Sequence, residues 1–136
     1  MDMDAYKVSE IIGSNRRFIS PFADPCSYYI VAQDGQIDEK MIERYWELLK
    51  YAKKNADLLI QQGFQPSFYA FYGVNQKMVS SPDDMCRRLI FESFVLIFHN
   101  NNVTIGSCLS NSEFMFGHFI ECEWDCDWNL IGSGIC

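Results

Sequence analysis

Four carboxylates at alternate positions, Glu121, Glu123, Asp125 and Asp127, are the residues of this 136-residue chain best placed to do chemistry. In an extended strand, side chains two residues apart share a face, so these acids line up with Phe119 on one side, and His118, Ile120, Cys122, Trp124 and Cys126 fall on the other. One face reads as acidic and the other as core. Carboxylates repeated along a strand repel one another, and a merely wet face usually mixes charge signs to relieve this. Such a stripe attracts a basic protein surface and raises its rate of encounter. Hard cations also suit carboxylates, but alternate side chains of a straight strand stand about 7 Å apart and do not converge by themselves, so no metal is expected here.

The remaining chemistry-bearing residues are thiols and imidazoles. Cys26, Cys86, Cys108, Cys122, Cys126 and Cys136 are scattered, and only the Cys122-Glu-Trp-Asp-Cys126 pair is closely spaced. Paired ligand spacing of the zinc type is missing, and a chain with a large core and no visible export signal does not read as a disulfide scaffold. Reduced, mostly buried thiols are the expectation. His118 follows Gly117 on a core-facing strand position, where a structural hydrogen bond is the ordinary role. The alternative is a small-ligand or enzymatic pocket formed with Trp124. His99 sits beside the turn Asn100-Asn101-Asn102 and reads as a surface residue. No nucleophile elbow, phosphate loop or zinc-protease pattern occurs, and no cofactor is implied.

The elements that must position these groups follow from periodicity. Residues 1–15 are polar and mixed and read as a loose arm, with a short helical turn at Tyr6–Ile12. Arg16–Phe22 and Cys26–Gln33 are rich in β-branched and aromatic residues and read as extended. From Asp38 to Gln62, apolar residues recur at spacings of three and four, predicting one long amphipathic helix with Asp38 as N-cap and Gly63 as a left-handed C-cap. Residues 64–79 lean towards a short helix. Ser81-Pro82-Asp83-Asp84 predicts another, running to about Leu89. Beyond it, Phe91–His99, Val103–Leu109, Glu113–Asp125 and Trp128–Ile135 alternate with turn residues in the manner of an antiparallel meander. The expected architecture is α+β: a single domain spanning 1–136, with a long helix packed on a mainly antiparallel β-meander.

Charge is distributed unevenly over this plan. The chain carries 11 basic and 18 acidic residues, and residues 89–136 hold Glu92, Glu113, Glu121, Glu123, Asp125 and Asp127 without a single Lys or Arg. A net charge of -7 argues against nucleic acid as a partner, since phosphate binding needs clustered cations. With 49% hydrophobic and 15% aromatic residues, the chain is too apolar for disorder, and no apolar run is long enough to span a bilayer. A cytoplasmic location is the expectation.

Residues 80–136 resemble a family of small uncharacterised bacterial α+β domains. In them a short helix opened by Ser or Thr and acids precedes a strand, followed by an aromatic-x-Gly-His-x-Ile segment, acids, and a final strand with Gly. The matching residues are Ser81, Asp83 and Asp84, then Leu89–Ile97, then Phe116, Gly117, His118 and Ile120, then Asp125 or Asp127, and Gly132 or Gly134. These domains are similar to the immunity proteins of polymorphic toxin systems. The resemblance implies a protein partner, and with it a cytoplasmic inhibitor meeting a basic toxin domain; the charge pattern itself offers Glu121, Glu123, Asp125 and Asp127 as the contact stripe.

Overall fold

The computed structural model describes residues 7–12, 15–19, 26–32, 38–71, 77–99 and 102–136. Seven strands form one sheet in chain order: β1 (Lys7–Ile12), β2 (Asn15–Ile19), β3 (Ser27–Ala32), β4 (Ile90–His99), β5 (Asn102–Ser110), β6 (Ile120–Asp125) and β7 (Leu130–Ile135). Neighbours are antiparallel except β3 and β4, which run parallel because the whole helical segment is inserted between them. That segment comprises α1 (Glu39–Lys54), α2 (Ala56–Gly63), α3 (Pro66–Phe71) and α4 (Pro82–Arg88). The α+β class and the C-terminal meander follow the sequence expectation.

Three local expectations change. Lys7–Ile12 are not a loose arm or helical turn but a strand paired with β2; residues 1–6 lie outside the described residues, as do the expected strand ends at 20–22 and 33. The single helix over 38–62 is split at Asn55, whose backbone N–H and side-chain amide both donate to the carbonyl of Tyr51. An amide side chain that competes for backbone acceptors is a poor continuation of a helix. Residues 111–119, expected to begin a strand at Glu113, form a loop. Phe114 and Met115 are adjacent and both fully buried, which strand alternation forbids.

The helices cover one face of the sheet. Tyr28 and Ile30 of β3, Phe94 and Leu96 of β4, Ile105, Ser107 and Leu109 of β5, and Ile120, Cys122 and Trp124 of β6 all point into that interface and are buried. From α1, Tyr45, Leu49 and Ala52 project at spacings of four and three into the same layer. Asp38 caps this helix by accepting from the Met41 N–H at 2.9 Å, and Ser81 does the same for Asp84 at the start of α4.

Two contacts fix how the layers meet. The Tyr45 hydroxyl accepts from the Tyr29 N–H at 3.1 Å and donates to the Phe94 carbonyl at 2.7 Å, bridging the parallel strands β3 and β4. At the other end of the layer, Gly63 closes α2 against β6: a Cβ there would sit 2.7 Å from Cys122 Sγ and 3.6 Å from both Leu109 and Trp124. Gly63 is the last helical residue and is not in the left-handed region, so close approach rather than a C-cap conformation explains it.

Tyr45→Phe should lower the unfolding free energy by about 1–3 kcal/mol in urea titration, since it removes the hydroxyl that serves a part-buried strand N–H and a buried carbonyl. Gly63→Ala should also destabilise, by about 1–3 kcal/mol, because overpacking at 2.7 Å outweighs the better helix propensity of alanine. Pairing it with Cys122→Ala should recover part of that loss; strict additivity would show that the two positions do not press on each other.

Candidate functional site

The face of the sheet opposite the helices carries the acids. Cross-strand register sets its rows: Tyr29, Val95, Gly106, Glu123 and Gly132 lie side by side, and next to them Ser27, Ser93, Cys108, Glu121 and Gly134. Glu121 and Glu123 are exposed, as strand alternation requires once Ile120, Cys122 and Trp124 are buried. Glycines flank Glu123 on both sides, so its carboxylate stands above a floor without side chains. Between β5, β6 and β7 this makes an open hollow of about 380 Å³ lined by Ile97, Thr104, both glutamates, and Gly106, Gly132 and Gly134. Neither glutamate has an ion pair among the described residues, whereas Glu113 is held by Arg88 at 2.8 Å.

The rest of the expected stripe is put to other use. Asp125 closes the turn between β6 and β7. One oxygen accepts from the backbone N–H groups of Asp127 and Asn129, both at 2.9 Å, and the other from the Asn129 side chain at 3.0 Å. The bonds from Asn129, with that from Asp127, hold its carboxyl below the ordinary carboxylate range. Asp127 is exposed in the turn itself, beyond the end of the strand. The acidic face is therefore the pair Glu121 and Glu123, with Asp125 supporting the turn beside it.

That turn carries a local cost. Trp128 has φ 63°, which side-chain-bearing residues avoid, yet the residue is buried. Its ring stacks on Tyr51, meets Phe94 and Trp124 edge-on, and leaves its indole N–H buried without a partner among the described residues. Aromatic burial holds the backbone in place.

The two residues considered for a pocket are separated. Trp124 is fully buried and its indole N–H donates to the Ser107 hydroxyl at 2.9 Å, so it belongs to the core. His118 is not on a core-facing strand position: it is exposed in the 111–119 loop, after Phe116 and Gly117 with φ of 47° and 84°, and its Nδ1 lies 3.1 Å from the Cys136 carbonyl. His99 ends β4, and its side chain lies outside the described residues. A second open hollow, about 1030 Å³, lies between α2 and α4 and contains Asp57, Asp83, Arg87 and Cys86.

No disulfide joins the cysteines among the described residues. Burial pushes Cys122 up to about 12, and burial with the Asp83 charge raises Cys86. Burial, with the Glu121 and Glu92 charges, raises Cys108. Cys136 is exposed and donates to Glu121 Oε2 at 3.2 Å, a bond that favours the thiol over the thiolate. None of these four is tuned towards nucleophilic chemistry, which needs the thiolate. Among the described residues no three His, Cys, Asp or Glu side chains converge as a metal site, and no helix is long and apolar enough to cross a membrane.

Sequence reading missed the glycine floor and the two thiols beside Glu121. The signal was there in Gly132-Ser133-Gly134: glycines at alternate positions of a strand empty one face of it.

Glu121→Gln should make Cys136 react several-fold faster with an aromatic disulfide reagent at about pH 8, because removing the carboxylate lowers the thiol's pKa and raises its thiolate fraction. The advantage should fade at a pH above both values. Equal rates at about pH 8 would show that the thiol does not feel the carboxylate.

Comparison with known protein families, with curated proteins and with solved structures finds no match to this chain.

Proposed function

We propose that this protein is a cytoplasmic binding domain that neutralises a basic protein, in the manner of the immunity proteins of toxin systems, through the outer face of its sheet. The observation that carries the reading is the pair Glu121 and Glu123. They are exposed side by side above a glycine floor, without ion pairs among the described residues, in a stretch, residues 89–136, that contains no Lys or Arg. A molecule that maintains unrelieved repulsion at one place gains by offering it to cations supplied from outside. Inhibition would work by occlusion, with the carboxylates pairing to the Lys and Arg that the partner uses on its own substrate.

A ligand-binding or enzymatic role near His118 is less well supported. Its two residues do not share a pocket, and the thiols of Cys86, Cys108, Cys122 and Cys136 are held in their protonated form.

The test is a charge reversal, Glu121→Lys with Glu123→Lys. Exposed substitutions cost within about 0.5 kcal/mol each, so the melting temperature should hardly move. Association with the partner, identified by co-purification from the native host, should slow by about tenfold or more at low salt, with the difference closing as salt rises. Co-expression should protect cells from that partner when the wild type is supplied and fail with the variant. A folded variant that associates at the wild-type rate, with the same salt dependence, excludes this face.

A further inference from the structure

Among the described residues, the last strand of the sheet is unguarded. β7 pairs with β6 on one side only, and among the described residues no strand lies on its other side. Sheet edges of this kind are normally protected by Lys, Pro, a bulge that twists the edge away, or covering structure. β7 reads Leu-Ile-Gly-Ser-Gly-Ile, without charge or proline, and Ile131 is 57% exposed. Its irregularity lies near its start, between Glu123 and Trp124 of β6, leaving Gly132–Ile135 regular.

The ladder indicates which backbone groups are open. Phe119 and Cys136 exchange both N–H···O bonds, so alternation makes Gly134 and Gly132 the next residues bonded to β6. The N–H and C=O groups of Ser133 and Ile135 then face outwards. On the helix side, Ser133 accepts from the Gln65 side chain at 2.9 Å, which ties β7 to the helical layer and leaves its outer face bare.

Resting on the acidic-face reading above, we propose that the basic partner binds by adding an extended strand to β7, with Lys or Arg at alternate positions reaching across Gly132 and Gly134 to Glu123 and Glu121. An added strand lies two strand spacings, about 9.5 Å, from β6. Any side chain at 132 or 134 would fill that gap, whereas the two glycines leave nothing within 4 Å of their would-be Cβ atoms. A basic side chain on the added strand and a glutamate leaning to meet it close the distance over that floor. Both the partner's cations and the glutamates repeat every second residue, so register and charge agree. Strand addition supplies affinity through main-chain bonds, and alternate side chains supply selectivity. A second copy of this chain is the poorer occupant, because its strands β4 to β7 bring no Lys or Arg to the acids.

The probe is a fluorescent peptide of about ten residues that alternates Lys with Thr or Val, compared with one of the same composition carrying its lysines in a block. The alternating peptide should bind at low salt and the block peptide about tenfold more weakly. N-methylation of the amides that face β7 should abolish binding without changing charge, and binding should slow hydrogen exchange at the Ser133 and Ile135 amides. Gly132→Val with Gly134→Val has open space and better strand propensity, so it should fold with an undiminished melting temperature yet bind the peptide about tenfold more weakly.

Peptide binding that is indifferent to N-methylation, with Ser133 and Ile135 exchanging as in the free protein, overturns strand addition and leaves the acidic face standing. So does the absence of peptide binding while the natural partner still responds to the Glu121→Lys, Glu123→Lys reversal. Protection of Ser133 and Ile135 in the protein alone, together with a dimer mass in solution, would assign the edge to a second copy and overturn the proposal. Indifference of the natural partner to the charge reversal would instead remove the reading on which it rests.

Discussion

One tyrosine hydroxyl holds the two halves of this sheet to the helices. β3 and β4 are the seam of the molecule: on one side lies the N-terminal group of strands, on the other the meander, and they run parallel because the helical segment intervenes. A parallel seam is slightly weaker per residue than an antiparallel one. Tyr45 reaches from α1 to that seam and bonds a strand N–H on one side and a strand carbonyl on the other. The carbonyl side of this bridge is buried and the N–H side partly so, and the hydroxyl thereby fixes both the height of the helix over the sheet and the alignment of the two strands. Stacked rings of Tyr28 and Phe94 beside it continue the same contact in apolar form.

From that anchor the division of labour between the faces follows. Because α1 and α2 take every second residue of β3 to β6, the intervening residues must face away, and on β6 those residues are Glu121 and Glu123. Gly63 allows α2 to come down onto Cys122 and Trp124, which makes the burial of one side of β6 complete and the exposure of the other a matter of geometry. The acids need no special device to be presented. They are where the pleat puts them.

Much of this was legible in the sequence, for reasons that differ by element. The caps at Asp38 and Ser81, the alternation of β6 and the break at Asp127 are local properties, carried by residues within one turn or strand. What escaped were features set by side-chain hydrogen bonds and packing that periodicity does not display. Asn55 divides a helix that apolar periodicity alone would carry through. Phe114 and Met115 bury consecutive side chains under the tie formed by Arg88, Asn111 and Glu113, and no local pattern announces this. His118 left the core in the same loop: its strand starts at Ile120 rather than at the expected Glu113. Asp125 looked identical to its neighbours on the stripe, yet its carboxylate belongs to the turn, a role set by Asn129 across the hairpin. Residues 64–79 mix aromatic and polar types without a clear period, yet the expected short helix is there at Pro66–Phe71.

The agreement between strand order and chain order bears on how the molecule is made. Each antiparallel pairing joins consecutive strands, so each can form as soon as its second strand has left the ribosome. Only the β3–β4 seam must wait, since everything between Ala32 and Ile90 has to be synthesised and gathered before that pairing closes. Closing this long loop is the slow, non-local event in an otherwise local topology. Until it happens, the N-terminal strands present a sheet edge with nothing to pair with, and a nascent chain stalled in that interval is at its greatest risk of joining the wrong neighbour.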